Sequence, residues 1–284
     1  MKILICGGNG FIGSKLTEEF RLRNWNVENL SRADLLLNHE ALAIRISGCD
    51  VLINLAGAPI IKRWTKHHRQ EMWDSRILTT RRLAAAVNKS TVPPQLFIST
   101  SAVGIYADEV LQTENNAVFA KNFLAELCMA WEKEALAATS AGRIAIFRIS
   151  VVLGNNGGAL KKMMTPFRFG FGGRISSGKQ GFSWCHIHDV VAAFTFLIEN
   201  NEKGIFNLAA PEPTDNRGFT KALAHAMHRP ALVPLPAWVL RLLYGGGSIA
   251  LTEGQKVLPE HLIECGFKFK YRKLEEALRD IIHE

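Results

Sequence analysis

The sequence predicts an α/β protein: a doubly wound parallel sheet with a smaller C-terminal α+β cap. Short apolar segments alternate with amphipathic helical segments in the first half of the chain, which is typical of such a sheet. From about residue 155 the sequence becomes rich in glycine and later in proline. We expect residues 1–160 to form the main domain, with its sheet completed by 182–210. Segments 161–181 and 211–284 would form the cap.

Each element follows from its local pattern. Amphipathic helices are expected at 65–89 and 121–140, and another should begin near Ser14. The segment 184–188 is expected to be extended, and Asp189 is expected to cap a helix over 190–199. Runs of buried apolar residues predict parallel strands at 2–6, 26–30, 51–55, 96–100, 144–148 and 204–208.

The most informative local pattern is a glycine turn between the first strand and the first helix. Gly7, Gly10 and Gly13 have GxxGxxG spacing, and a second strand follows the helix, which is the context of a dinucleotide-binding Rossmann unit. Glycine allows a tight turn and lets a pyrophosphate approach the backbone and the free N–H groups of the helix. Phe11 and Ile12 lie in the same turn and are also predicted to contact the cofactor.

The end of the second strand indicates which cofactor binds. An acidic residue there would accept a hydrogen bond from the ribose of NAD, whereas this chain has Ser31 and Arg32. A hydroxyl and a guanidinium suit the 2′-phosphate of NADP. The sequence therefore predicts NADP (NADPH), although the nearby Asp34 leaves NAD open.

Composition excludes several classes of protein. The 284 residues include 48% apolar residues, and no run is long enough to span a bilayer, so we expect no membrane partner. Five scattered cysteines without paired spacing indicate a reduced, cytoplasmic protein with no metal site. The net charge of +8 is dispersed and no nucleic-acid-binding motif occurs, so a small-molecule substrate is the expected partner of a monomer or homodimer.

The chain resembles the extended type of the short-chain dehydrogenase/reductase superfamily. More closely, it resembles the atypical subgroup labelled NAD-dependent epimerase/dehydratase family, which carries a C-terminal domain of unknown function. The matching segments cover the whole chain and include the glycine turn, Asn54-Leu55-Ala56-Gly57, Ser99-Thr100-Ser101-Ala102, Trp131-Glu132, Gly178-Lys179-Gln180 and His186-Ile187-His188-Asp189.

The resemblance implies further cofactor contacts. In the superfamily, the loop after the fourth strand runs beside adenosine and ribose, which implicates Leu55, Ala56 and Gly57. Glu71 and Arg76, on the following helix, would reach toward the cofactor. The resemblance also implies cofactor contacts for Ser99 and, near the nicotinamide end, for Val151.

One departure from the superfamily affects the chemistry. Its reductases use a serine or threonine to hold the carbonyl, a tyrosine as acid and base, and a lysine four residues later that lowers the pKa of the tyrosine. Ser101 lies where the serine is expected, but no Tyr-x-x-x-Lys occurs in this sequence. The helix expected to carry that pair has Phe123 and Leu127 at two positions four residues apart.

Other residues are therefore candidates for the missing acid. We consider Tyr106, Glu126, His186 and His188 together with Ser101. The two histidines would share one face of an extended segment with Trp184. A metal site is not expected, because no third ligand occurs at usable spacing.

Three functions remain open at this point. The first is an NADP(H)-dependent oxidoreductase whose proton donor comes from elsewhere in the fold. The second is a protein that binds NADP(H) without turnover and acts as a redox sensor or regulator. The third is an epimerase-like enzyme that uses the cofactor transiently, as the family label implies.

Overall fold

The computed structural model describes residues 1–108, 110–155 and 157–283. Short 3-10 turns join some of the elements. Within the described residues the strands and helices follow in the order β1 (Lys2–Cys6), α1 (Phe11–Leu22), β2 (Asn26–Leu30), α2 (His39–Ile46), β3 (Val51–Asn54), α3 (Lys66–Asp74), α4 (Ile77–Lys89), β4 (Leu96–Ala102), β5 (Leu111–Gln112), α5 (Phe123–Leu136), β6 (Arg143–Ile149), β7 (Val151–Leu153), α6 (Gly158–Arg168), β8 (Gly181–Phe182), β9 (Trp184–His186), α7 (Ile187–Glu199), β10 (Gly204–Leu208), β11 (Thr214–Asp215), α8 (Asn216–Ala226), α9 (Ala237–Tyr244), α10 (Ile249–Thr252), β12 (Lys256–Val257), α11 (Glu260–Glu264) and α12 (Leu274–His283).

The main sheet is parallel and six-stranded, in the order β10-β6-β4-β3-β1-β2. β1 pairs with β2 on one side and with β3 on the other. The direction of the chain across the sheet reverses at this point, so the carboxyl ends of β1 and β3 open a crevice. In open α/β sheets such a crevice is the usual place for a ligand.

The sheet is covered on both faces, as the continuous apolar strands require. Alternate residues of β1 point to opposite faces: Ile3 and Ile5 pack in the cluster with α1 and α7. Leu4 and Cys6 pack in the cluster with α2, α4 and α5. The predicted doubly wound fold is therefore confirmed, including the return of β10 to the edge of the sheet beside β6.

A third apolar cluster lies outside the main sheet and organises the cap. It combines residues of α6, α8 and α12 with Trp184 and Tyr271, and it joins the sheet through β7 and β9. No helix within the three described ranges is long and apolar enough to cross a membrane.

The structure corrects three predictions of secondary structure. The segment 65–89 is two helices, α3 and α4, because the chain bends at Ser75 and Arg76. The Leu55–Gly57 loop follows β3, so it comes after the third strand along the chain and not after the fourth, as the resemblance implied. The segment 184–188 is extended only as far as His186, where α7 begins.

Candidate functional site

The crevice beside β1 is the largest cleft that we describe, about 970 Å³, and we call it the outer cleft. Backbone of the glycine turn forms one wall, and the loop after β3 together with α3 forms the other. Among its lining residues are the predicted cofactor contacts Gly7, Gly10, Ser31, Arg32, Leu55, Ala56, Gly57 and Glu71.

The glycine turn is held in place by close backbone contacts. Gly7 has a φ of +84°, and a Cβ at this position would lie 3.0 Å from the carbonyl carbon of Leu55. A Cβ on Gly13 would lie 2.5 Å from the oxygen of Gly7, so α1 packs against the turn only because both residues are glycine. Gly10 caps α1 without a side-chain hydrogen bond, which leaves the N–H groups of the first turn available to an anion.

The residues after β2 form a cationic end of the outer cleft. Asp34 accepts hydrogen bonds from the backbone N–H (2.7 Å) and the hydroxyl (2.6 Å) of Ser31. These bonds, with the nearby Arg45, lower the pKa of Asp34. Its carboxylate is therefore already engaged by protein groups, while Arg32 is exposed at the cleft and has no ion-pair partner among the residues described.

A buried amide fixes the loop after β3. The side-chain nitrogen of Asn54 donates to the hydroxyl of Thr80 (2.8 Å), which also accepts from the indole N–H of Trp131 (2.8 Å). The amide oxygen of Asn54 accepts from the N–H of Ala56 (3.2 Å). The sequence pattern gives no separate role to Asn54, but in the structure its side chain holds the turn that lines the outer cleft.

Glu71 lines the outer cleft from α3. Its carboxylate lies 2.8 Å from Nδ1 of His68, and the hydrogen bond with His68 lowers the pKa of Glu71. Nε2 of His68 lies 2.9 Å from the carbonyl oxygen of Pro59. His68 therefore links α3 to the loop after β3.

A second, smaller cavity of about 270 Å³ lies beyond the Leu55–Gly57 loop, and we call it the inner cavity. It is bounded by the carboxyl end of β4, the start of α5 and the segment joining β6 to β7. Most of its lining is apolar. The polar side chains in its lining are those of Arg76, Thr100, Ser101, Cys128 and Ser150, together with the indole of Trp131.

Arg76 belongs to the inner cavity and not to the outer cleft. Its guanidinium donates to the carbonyl oxygens of Met72 (3.2 Å) and Ala58 (3.0 Å) and lies 5.2 Å from the ring centre of Trp131. Burial lowers the pKa of Arg76, and no carboxylate of the described chain compensates its charge. A Cβ at Gly57 would lie 2.8 Å from this guanidinium, so glycine is needed there to accommodate Arg76.

Ser101 also faces the inner cavity. It is buried, and its hydroxyl oxygen has no nitrogen or oxygen partner in the part of the chain that the structure describes. The thiol of Cys128 lies beside it, and burial raises the pKa of that thiol to about 11. A buried hydroxyl without a nitrogen or oxygen partner is uncommon in folded proteins, and a ligand in the inner cavity could accept its hydrogen bond.

The helix opposite Ser101 corrects the positions expected for the tyrosine and the lysine. Phe123 packs against Trp64 and Arg69 and does not line the inner cavity. Leu124 and Cys128, four residues apart and therefore on one face of α5, both line it, as does Leu127. Leu124 and Cys128 thus present an aliphatic side chain and a thiol to the inner cavity.

Tyr106 is not available as an acid. Its hydroxyl donates to the amide oxygen of Asn207 (2.7 Å) and accepts from the guanidinium of Arg148 (2.7 Å), which forms a two-point ion pair with Glu132. Burial raises the pKa of Tyr106, and its side chain lines neither the outer cleft nor the inner cavity. Tyr106, Arg148 and Glu132 thus form a buried network that joins β6 to α5.

His186 and His188 do not enter the site either. Nδ1 of His186 accepts from the N–H of His188 (3.1 Å), so His186 and not Asp189 caps α7. Asp189 is buried one residue further along and accepts from the N–H groups of Lys270 and Tyr271 (both 2.9 Å). His188 lies in the helix and is exposed, because the cap formed by His186 starts the helix three residues earlier than predicted.

The remaining predicted residues lie around the two cavities. Ile12 lines the inner cavity, whereas Phe11 packs against Gly154, Gly157 and Gly158. Glu126 is exposed on α5 and lines neither cavity. Ser99 is fully buried under Asn54, and Val151 packs with the cap cluster between two lining residues, so neither reaches the cavity surface.

Comparisons with known proteins agree with this architecture. A model of the NAD dependent epimerase/dehydratase family matches residues 3–209, and a model of a domain of unknown function (DUF1731) matches residues 235–281. The epimerase family protein SDR39U1 of Mus musculus is 36% identical over 99% of this chain and 100% of its own length. An epimerase family protein of Staphylococcus aureus (strain MW2) is also 36% identical, over 99% of both chains.

Solved structures show the same relationship. The crystal structure of human epimerase family protein SDR39U1 (isoform 2) with NADPH superposes with a TM-score of 0.92 at 34% identity, covering 100% of both chains. A nucleoside-diphosphate sugar epimerase from Corynebacterium glutamicum has a TM-score of 0.79 at 27% identity, over 99% of this chain and 58% of its own. The chain therefore belongs to the NAD-dependent epimerase/dehydratase family, with a C-terminal DUF1731 domain.

Proposed function

We propose that this protein is an NADP(H)-dependent oxidoreductase or epimerase-like enzyme that holds a carbonyl group in the inner cavity. One observation carries the proposal. The Ser101 hydroxyl and the Arg76 guanidinium face one buried cavity beside the glycine turn, and neither has an anionic partner among the described residues. Two buried donors directed at one space suit an oxygen on which negative charge develops.

The outer cleft has the groups that NADP(H) requires. The first turn of α1 offers free N–H groups to the pyrophosphate, and Arg32 offers a cation to the 2′-phosphate, while the Ser31 hydroxyl donates to Asp34 and keeps that carboxylate engaged. The human relative was crystallised with NADPH, which supports the same choice. When bound, the nicotinamide supplies or accepts a hydride.

The residues of the inner cavity define what the chain itself can contribute. Ser101 and Arg76 can orient a carbonyl oxygen and stabilise charge on it, while Leu124 and Ile60 exclude water. None of the lining residues in the described ranges is a carboxylic acid, a histidine or a tyrosine, and burial holds the pKa of the Cys128 thiol at about 11. We therefore expect turnover to be slow on generic carbonyl compounds, because a positioned acid contributes about 10²–10⁴-fold in rate.

The test is a carbonyl-compound screen with NADPH on the wild type and two serine variants. Ser101→Ala should reduce the rate about a hundredfold and leave NADPH affinity unchanged, because it removes a donor only from the inner cavity. Ser99→Ala is the matched control: it lies on the same face of β4, lines neither cavity and loses only a 3.4 Å contact with Asn54. Equal rates in the wild type and in Ser101→Ala would refute the role of Ser101.

The second candidate function is a non-catalytic NADP(H)-binding sensor or regulator. The observation in its favour is that α5 lines the inner cavity with Leu124, Leu127, Cys128 and Trp131, none of which is an acid at neutral pH. Tight NADPH binding with no oxidation by any carbonyl compound in the screen would support this function over the enzyme.

A further inference from the structure

A cavity in the cap has a lining suited to an apolar chain. This cap cavity has a volume of about 390 Å³ and lies between α6, α8 and α9. Aromatic and aliphatic side chains form most of its wall, among them Met163, Phe167, Phe219 and Leu240. It is separate from the outer cleft and shares no lining residue with it.

Few polar groups are available inside the cap cavity. The polar side chains in its lining are Lys162, Asn216 and Thr220, together with the phenol of Tyr244. The amide oxygen of Asn216 is already used, because it accepts from the N–H of Ile175 (2.8 Å). A sugar would bury several hydroxyls without partners here, whereas a hydrocarbon chain would not.

A group of cations lies at one side of the cap cavity. An adjoining cleft of about 480 Å³ shares Thr220 and Pro234 with it and is lined by Arg174, Arg217 and Lys221. None of these three forms an ion pair with a carboxylate within the described ranges. They are the charged groups of a small basic patch with an apolar floor.

The three cations are held close to one another. A Cβ at Gly178 would lie 3.2 Å from Cβ of Arg217 and 3.3 Å from Cδ of Arg174, so both arginine side chains lie beside Gly178. Arg217 and Lys221 are four residues apart on α8 and therefore lie on one face. Like charges at this spacing destabilise a helix slightly, and a bound anion would remove that repulsion.

Exposed apolar side chains at the edge of the two cap clefts suit an apolar ligand that enters from solvent. Phe171 is 68% exposed and Leu232 is 80% exposed, and each lines one of the two cap clefts. The consecutive residues Ile60 and Ile61 line the inner cavity and the cap cavity respectively. A long molecule in the cap cavity would thus lie on the opposite side of a single loop from Ser101.

We infer that the cap binds an amphiphilic anion, with its unbranched apolar chain in the cap cavity and its carboxylate or phosphate at Arg174, Arg217 and Lys221. The ligand class follows from the apolar lining beside unpaired cations. Binding at this site does not depend on the reaction proposed above, so each can fail without the other.

Calorimetric titration with soluble ten-carbon probes tests the inference. Decanoate and decyl phosphate, below their micelle concentrations, should bind at least about tenfold more tightly than decanol, because only they engage the cations. Arg217→Gln with Lys221→Gln should weaken both anions about tenfold and leave decanol unchanged. Lys89→Gln with Lys133→Gln removes the same charge from exposed positions elsewhere and should change nothing.

A cavity-filling variant tests the other end of the ligand. Ala159→Phe places a ring in the cap cavity and should weaken decanoate and decanol alike, while NADPH affinity reports that the protein is folded. Equal affinities for decanoate and decanol would overturn the inference. Decanoate affinity that is unchanged both by Arg217→Gln with Lys221→Gln and by Ala159→Phe would also overturn it. So would tight binding of UDP-glucose in the absence of any decanoate binding.

Discussion

The outer cleft and the inner cavity lie on either side of the Leu55–Gly57 loop and are built in different ways. The outer cleft depends on backbone: Gly7 and Gly13 set its shape by contacts that any side chain would break. The inner cavity depends on side chains that come from β4, α5, the residue before α4 and the segment that joins β6 to β7. A dinucleotide site can therefore be retained while the chemistry beside it changes.

The residues of α5 show this difference most directly. In the superfamily that this chain resembles, a tyrosine and a lysine four residues apart face the serine. Here the residues of α5 that line the cavity with Ser101 are Leu124, Leu127, Cys128 and Trp131, and they include no tyrosine and no lysine. Replacing two side chains on a helix leaves the fold intact, whereas replacing Gly13 would force α1 away from the turn.

The largest expected effect is on the backbone-built outer cleft. We expect Gly10→Val to abolish NADPH binding while the protein stays folded. The backbone at Gly10 is extended (φ −76°, ψ 174°), which valine adopts readily, but the branched side chain would occupy the approach to the N–H groups of α1. Titration with NADPH and a thermal transition measured without cofactor check both parts.

Gly246→Ala is the control for Gly10→Val. A Cβ at Gly246 would meet only the ring of Trp64, at 3.6 Å, and the position lines neither cavity. It should bind NADPH as the wild type does. Normal NADPH binding by a folded Gly10→Val protein would mean that the pyrophosphate does not lie at this turn.

The second effect concerns His186, which lines neither cavity and which we assign a structural role. His186 is buried, and burial lowers its pKa to about 4, with Asp280 acting in the opposite direction. In the unfolded chain His186 is protonated below about pH 6.5, whereas in the folded protein it is protonated only below about pH 4. The free energy of unfolding therefore decreases as the pH falls from about 6.5 to about 4. The loss is up to about 3 kcal/mol.

His186→Asn should remove this loss while keeping a residue that can cap α7. The measurement is the free energy of unfolding in urea at about pH 7.5 and about pH 4.5, compared between wild type and variant. His225→Asn, at an exposed position on α8, is the matched control and should keep the wild-type pH dependence. An unchanged pH dependence in His186→Asn would contradict the structural role given to His186.

The smallest effect concerns cofactor choice. Arg32→Ala should weaken NADPH binding about tenfold or more and leave NADH unaffected, because a charge-assisted hydrogen bond to the 2′-phosphate contributes about 1.5–3 kcal/mol. Arg21→Ala, an exposed cation on α1 that does not line the outer cleft, serves as the control. Equal affinities of the wild type for NADPH and NADH would show that Arg32 does not select the cofactor.

The outer cleft could be predicted from the sequence to a greater extent than the inner cavity. The glycine turn and Ser31-Arg32 were predictable because they are local: strand, turn, helix and strand are consecutive, and the structure brings them to one cleft. The inner cavity combines Arg76, Ser101 and Leu124, which lie on separate elements. Their common orientation depends on how α5 packs against β4 and against α4, which no local pattern contains.

The errors at 184–189 have a similar cause. The alternation of Trp184, His186 and His188 fits a strand, and Asp189 is a good capping residue, so the local pattern predicted both. In the structure His186 caps the helix, and Asp189 is bound by the backbone of Lys270 and Tyr271, more than eighty positions further along the chain. Tertiary contacts thus determined the start of α7.

The most direct test of the division between the two regions is a crystal structure of this protein with NADPH. We predict the 2′-phosphate against Arg32, the pyrophosphate at the first turn of α1, and the nicotinamide in contact with the inner cavity beside Ser101. A 2′-phosphate in solvent, or a nicotinamide directed away from the inner cavity, would contradict the assignment of cofactor binding to one region and chemistry to the other.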